Sequence, residues 1–206
     1  MSQGDSCKFC RLISLPKVAA MSKSADNIDP HFAFRQNQSW AATYWPLITL
    51  IEVAMRNKFA SEIQGKINQD FFTDPMAISD SRIAKRISRA KLQRGNLSSA
   101  TTRDGVISSL PIGFWGLLMN KKYESSFWTP ALRHAFAGLG KSSRAEVHEA
   151  LQTAIVLRNR IAHHENILSF DPETTLATLD WLLELLEPGS SQFAKLDQDI
   201  PLHPVE

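Results

Sequence analysis

An all-α fold is what this sequence predicts, and three observations carry it. Apolar residues recur at intervals of three and four over long segments, the spacing that lines one face of a helix. The period-two alternation of half-buried strands is nowhere sustained. Helix punctuation falls between those segments, as at Asp171-Pro172 and at the glycines Gly138 and Gly140. A chain of 206 residues suits one domain. At that size it buries roughly 70% of its unfolded surface, so neither a disulfide nor a metal is needed to hold it.

The elements follow in order. Residues 1–34 lack sustained periodicity and read as a poorly ordered arm, ahead of a helical domain over 35–188 and a tail over 189–206. From Trp40 the residues Tyr44, Leu47, Ile48, Ile51, Met55 and Phe59 share one helical face. That helix runs to about Ile67, with Pro46 either kinking it or marking its true start. Phe71–Pro75 reads as a turn that docks two aromatics. A second helix spans residues 79–95, with Ile83, Ile87 and Ala90 as a narrow apolar stripe. Gly95–Gly105, rich in Ser, Thr and Gly, reads as a loop. A short helix then enters through Pro111, and another runs from Pro130 to the glycines. The next spans Arg144 to about Ile167. The last runs from Asp171-Pro172 to Glu187, with Leu176, Leu179, Leu182, Leu183 and Leu186 inward.

Composition bounds the partners only loosely. Twenty-three basic and 21 acidic residues leave a net charge of +2. No run of about 18 apolar residues suggests a membrane span, and Arg11, Pro16 and Lys17 interrupt any signal-like core, so the expected compartment is the cytoplasm. Cys7 and Cys10 form a lone C-x-x-C without the second pair a structural zinc site needs and without a βαβ redox context. They read as two reduced thiols in the arm, or as a weak or intermolecular metal site drawing on His31. No cofactor is expected.

The segment Arg158-Asn159-Arg160-Ile161-Ala162-His163-His164-Glu165 puts polar residues where a helix should pack. At about 100° per residue, Val147, Leu151, Ala154, Ile155, Ile161 and Ala162 form the inward stripe, with Arg158 in its middle. Arginine is rarely buried without a partner, because losing its hydration costs several kcal/mol. Asn159 and His163, four apart, lie on neighbouring turns at the stripe's edge. A cation, an amide and an imidazole therefore converge, a setting suited to anionic chemistry. Equally, Arg158 reads as a structural arginine paired with Glu52 or Glu165, with His163 and His164 as helix-end residues favoured by the dipole. One helix cannot aim the consecutive His163, His164 and Glu165 at a single metal ion.

Two further groups stand out. Arg82, Lys85, Arg86 and Arg89 share a face of the second helix, flanked by Lys91 and Arg94, with no acid between Asp80 and Asp104. A one-signed cationic face suits a nucleic-acid backbone, whose neutralised phosphates release counterions, though it also serves as a solvated surface. On the long helix Glu52 and Arg56 are four apart and Asn57 follows, either as an intrahelical pair or with Glu52 orienting Arg56 or Arg158.

At these residues the chain resembles a known family. Leu157–Glu165 is similar to the Arg-Asn-x-x-x-His signature of the HEPN superfamily, and more narrowly to the abortive-infection-like (Abi-like) proteins of bacterial phage defence. Leu50-Ile-Glu-Val-Ala-Met-Arg-Asn57 resembles that family's early helix. Gly113-Phe-Trp115, Tyr123-Glu124 and Phe127-Trp128 resemble its middle section, so the likeness runs over residues 36–187. The resemblance implies a HEPN-like bundle and a metal-independent ribonuclease acting as a homodimer. Arg158, Asn159 and His163 match the active-site motif, and His164 and Glu165 its continuation. The implied chemistry uses the ribose 2′-hydroxyl as nucleophile and leaves a 2′,3′-cyclic phosphate. Imidazoles serve as base and acid, and the guanidinium steadies the phosphorane. The expected setting is phage defence or a toxin–antitoxin system, with an inhibitory or activating partner protein. The alternative is a non-catalytic helical module that binds RNA or a protein partner, and a purely structural dimerisation domain leaves the basic face unexplained.

Overall fold

The computed structural model describes residues 15–24, 29–95, 102–190 and 192, and every regular element among them is helical. Cys7 and Cys10 lie outside the described residues. The arm expected over residues 1–34 is corrected at two places. Helix α1 spans Leu15–Ser24 and buries Val18 and Met21, three apart on one face. Ten residues with two apolar anchors carry too little periodicity to stand out from sequence alone.

Helix α2 spans Pro30–Lys66, beginning well before Trp40. The Asp29 carboxylate accepts from the backbone N–H groups of His31 (3.0 Å) and Phe32 (3.1 Å), and Pro30 supplies a first-turn φ. Asp29-Pro30 is thus the same start signal as Asp171-Pro172. Pro46 neither starts nor ends the helix. It lies on the exposed side of the helix, one turn after exposed Ala42, whose carbonyl it cannot bond. The inward stripe is the expected one, Tyr44, Leu47, Ile48, Ile51, Met55 and Phe59, extended to Ile63.

Helix α3 (Ser81–Gly95) buries Ile83, Ile87 and Ala90 as expected. The loop expected over residues 95–105 is cut short, because α4 (Arg103–Ser109) starts under a Thr102 cap and buries Val106 and Ile107. Helix α5 (Ile112–Leu118) does enter through Pro111. In place of the helix expected from Pro130 there is a 3-10 turn at Leu132–Ala135, preceded by a π-turn at Glu124–Trp128. Helix α6 (Arg144–Ala162) opens with a capping box between Ser143 and Glu146, and α7 (Pro172–Leu186) opens under Asp171. The start of the expected tail stays with α7, since the Gly189 N–H donates to Glu184 Oε2 at 2.8 Å.

The core gathers around α2. Phe59, Phe72 and Phe114 pack on Trp115, with ring centroids 6.5, 5.8 and 5.0 Å away, and Phe71 and Tyr123 each meet Phe127 at 5.7 Å. The aromatics of the middle blocks are therefore packing residues. Gly138 is required by proximity: its N–H donates to Leu185 O at 2.9 Å, and a Cβ there would collide with the Glu184 carbonyl. Among the described residues no helix is long and apolar enough to cross a membrane.

Candidate functional site

Arg158 falls within the arc of the packed stripe of α6, near the helix's C-terminal end. The buried line runs through Val147, Ala150, Leu151, Ala154, Ile155 and Leu157; Ile161 is partly buried and Ala162 is exposed. Arg158 comes where that line runs out along the helix axis, with its side chain 30% exposed. A helical wheel fixes which residues share a side. The neighbours α2, α5 and α7 decide which side faces inward.

There the Arg158 Nε donates to Glu52 Oε2 at 3.3 Å. Glu52 Oε1 also faces Arg56 Nη2 at 3.6 Å, one turn along α2. Of the two carboxylates the sequence offered Arg158, Glu52 is the partner. One carboxylate between two guanidiniums leaves the trio with a net positive charge. The Glu52 and Arg56 side chains are only 16% and 19% exposed, so the charges are less screened than on open surface.

The end of α6 explains the placement of the histidines. The helix stops at Ala162, five residues before the expected Ile167. The His163 N–H closes the last turn on Asn159 O at 3.0 Å. His164 then adopts a left-handed φ of 53°. Its N–H donates to Ile161 O at 3.0 Å and the Glu165 N–H to Arg160 O at 2.7 Å. This bond pair is the Schellman stop, with histidine where glycine is usual, at a cost of about 1 kcal/mol. It throws the side chains of His163, His164 and Glu165 outward, and all three residues are exposed, as is Asn159. Among the described residues none of these four side chains makes a hydrogen bond. The structure thus brings Glu52, Arg56 and Arg158 together and leaves Asn159 and His163 facing solvent on the same helix end.

Three residues that sequence reading passed over hold this turn. Asn37, only 2% exposed, accepts the Ile167 N–H at 2.8 Å and donates to Glu165 O at 3.2 Å. Lys17 Nζ donates to His163 O at 3.1 Å from α1. Asn166 Nδ2 donates to Ala20 O at 3.3 Å. A signal for Asn37 existed: it stands seven residues before Tyr44, so extending the apolar stripe backwards puts an amide on the buried face.

The cationic face of α3 is realised by fewer residues than expected. Arg82, Lys85, Arg86 and Arg89 are exposed, and among the described residues none forms an ion pair. With Leu117 they line a groove of about 370 Å³. Arg86 and Arg89 also line a groove of about 450 Å³ on the other side, with Gln93, Ser109, Leu110 and Pro111. Lys91 drops out, because its Nζ donates to Thr73 O at 2.6 Å and anchors the preceding turn. The Arg94 side chain lies outside the described residues.

The nearest acid is committed elsewhere. Asp80 Oδ1 caps α3 at the Arg82 and Ile83 N–H groups, 2.9 and 3.2 Å away, and Oδ2 accepts the Tyr123 hydroxyl at 2.7 Å. The Tyr123 hydrogen bond first, then those backbone N–H groups and Lys122, hold its pKa down at about 2. A lowered carboxylate pKa stabilises the fold above the ordinary range, and that stability is lost as pH falls through about 2.

Asn57 completes the list. It is exposed on α2 beside Arg56 and lines a polar slot of about 500 Å³ against α4. Among the described residues no three of His, Cys, Asp and Glu gather closely enough to hold a metal ion. Comparison of the chain with protein-family models, curated proteins and solved structures gives no match.

Proposed function

We propose that this protein is a metal-independent RNA endonuclease of the HEPN type, acting in phage defence or as a toxin. The observation that carries the reading is the end of α6. Arg158 is oriented by Glu52, while Asn159 and His163 present side chains that no described residue engages. Val156 on α6, and Trp45 and Val53 on the helix that supplies Glu52, are large apolar residues about 40% exposed, which favours a second copy packing here. Two chains then supply two His163 imidazoles. One takes the proton of the ribose 2′-hydroxyl as O2′ bonds to phosphorus. The other protonates the O5′ leaving oxygen as its bond to phosphorus breaks. Arg158 carries the charge that develops on the phosphorane, and the α3 face holds the flanking phosphates.

The test is cleavage of total RNA by purified protein in excess EDTA, wild type beside His163→Ala. The expected result is 2′,3′-cyclic ends from wild type alone, with the variant slower by at least about 10²-fold and still folded. Equal rates would end the mechanism. The open α3 face and its two grooves favour one second reading, a helical module that binds RNA without cutting it. Tight RNA binding with no cleavage across a pH series would select that reading.

A further inference from the structure

Helix α1 meets the end of α6 with an ammonium that the closing turn does not use up. Lys17 is exposed, and its Nζ donates to His163 O at 3.1 Å. An ammonium carries three N–H donors, and among the described residues Lys17 makes no other hydrogen bond and no ion pair. Its helix is docked independently of it, since Val18 and Met21 are buried and Asn166 Nδ2 donates to Ala20 O at 3.3 Å. A lysine at a helix C-terminus is common, because it answers the last carbonyls and the dipole. The charge of the element that brings it is less common. From Ser6 to Ala25 the chain carries Lys8, Arg11, Lys17 and Lys23 and no acidic residue. Helix α1 is thus a second one-signed cationic helix beside α3, and it lies against the turn that presents His163.

Position decides what this charge faces. Helix carbonyls point toward the C-terminal end, so Lys17 Nζ lies past His163 along the axis of α6. Covalent geometry keeps it within about 6 Å of the His163 Cα. Arg158 lies on the other side, one and a half turns earlier, which is roughly 7.5 Å along the axis. Its side chain leans further toward the helix N-terminus. His163 therefore stands between two cations. The exposed Glu165, the acid of this turn, forms no ion pair with Lys17 among the described residues. We infer that Lys17 holds the RNA phosphate next to the one that meets Arg158 and His163. Phosphates recur at every nucleotide, so a strand running along the end of α6 offers successive phosphates to a cation before His163 and a cation beyond it. Arg158 presents a planar fork and Lys17 a rotatable point charge, which accepts a phosphate in any orientation. Such a contact positions the strand and reads no base.

This inference rests on the proposed RNA reading of the α6 end, and its test separates binding from cleavage. Binding of a 2′-O-methylated RNA decamer, which the 2′-hydroxyl route cannot cut, is read by fluorescence anisotropy on the intact protein. Lys17→Gln keeps a donor for the His163 carbonyl and removes the charge, while Lys17→Arg keeps both. Circular dichroism should report both variants as folded. Between 50 and 200 mM salt the affinity of Lys17→Gln should fall about 2.6-fold less than that of wild type, the loss of one single-strand phosphate contact. Lys17→Arg should keep the wild-type slope. A wild-type slope in Lys17→Gln, a slope lost equally in Lys17→Arg, or no RNA binding by wild type would each overturn the inference.

Cleavage identifies the phosphate. A DNA heptamer with one central ribonucleotide has one bond to cut, and a methylphosphonate removes the charge of either flanking phosphate. One of the two neutralisations should cost wild type about tenfold in kcat/KM and cost Lys17→Gln nothing further. Equal costs in the two proteins would overturn the inference. A slope change without cleavage by wild type would retain the phosphate contact and remove the ribonuclease. Cleavage with the slope unchanged in Lys17→Gln would do the reverse.

Discussion

The end of α6 and the face of α3 carry the two candidate functions of this chain, and they are built in opposite ways. At the α6 end the Arg158 side chain and the backbone of the closing turn are held from elsewhere in the sequence. Glu52 on α2 takes Arg158, Asn37 on α2 takes both Glu165 and Ile167, and Lys17 on α1 takes the His163 carbonyl. On α3 the four cations are exposed and form no ion pair among the described residues. Orientation matters for proton transfer and phosphorane contact, where a small displacement costs rate. It matters little for counterion release, where charge density suffices. The difference teaches that the first site is a property of the tertiary structure and the second of one helix.

Three changes should sharpen or break that contrast. The largest effect is expected on α3. Converting Arg82, Lys85, Arg86 and Arg89 together to Gln should flatten the salt dependence of RNA binding. If each neutralises one phosphate of a single strand, wild-type affinity falls by roughly 50-fold between 50 and 200 mM salt, and the variant loses most of that dependence. Its melting temperature should stay close to wild type, because none of the four is packed. A cooperative loss of fold would mean that the face is structural after all.

Next is Asn37→Ala, which strands a buried N–H and a carbonyl. Chemical denaturation should show a loss of about 2 kcal/mol, and the Ile167 amide should exchange faster. RNA cleavage should fall with it, while the salt slope of RNA binding stays that of wild type. An unchanged stability would remove Asn37 as the holder of the turn. The smallest effect is at His164. Glycine there relieves the left-handed φ, so His164→Gly should range from neutral to about 1 kcal/mol stabilising in a thermal melt. A clear destabilisation would mean that the His164 side chain is engaged in the protein as it exists in solution.

Legibility from sequence followed the same division. The stripe of Ile83, Ile87 and Ala90 and the cations beside it were readable because a helix repeats its faces locally. The inward face of α2 was readable for the same reason, from Tyr44 to Phe59. The start of α2 was missed although Asp29-Pro30 announces it, because the residues that follow are not apolar enough to show a stripe. Lys91 was read as part of the cationic face, and only the turn at Thr73, eighteen residues earlier, diverts it. Asp104, which the sequence marks only as the end of an acid-free run, and Gln64 both line the α2–α4 slot, a proximity hidden by 40 residues of separation and by a start of α4 that reads as loop.

The sequence by itself determined the helical class, the packed faces of the main helices, the cap at Asp171, and the one-signed charge of α3. All of these depend on residues within a few turns of one another, where spacing fixes direction. Only the tertiary structure decided that Glu52 rather than Glu165 meets Arg158, and that α6 ends at Ala162 with its histidines turned outward. Those outcomes depend on which helix lies alongside and on a backbone stop held by Asn37 and Lys17. Such partners sit more than 100 residues away, and no local spacing encodes them.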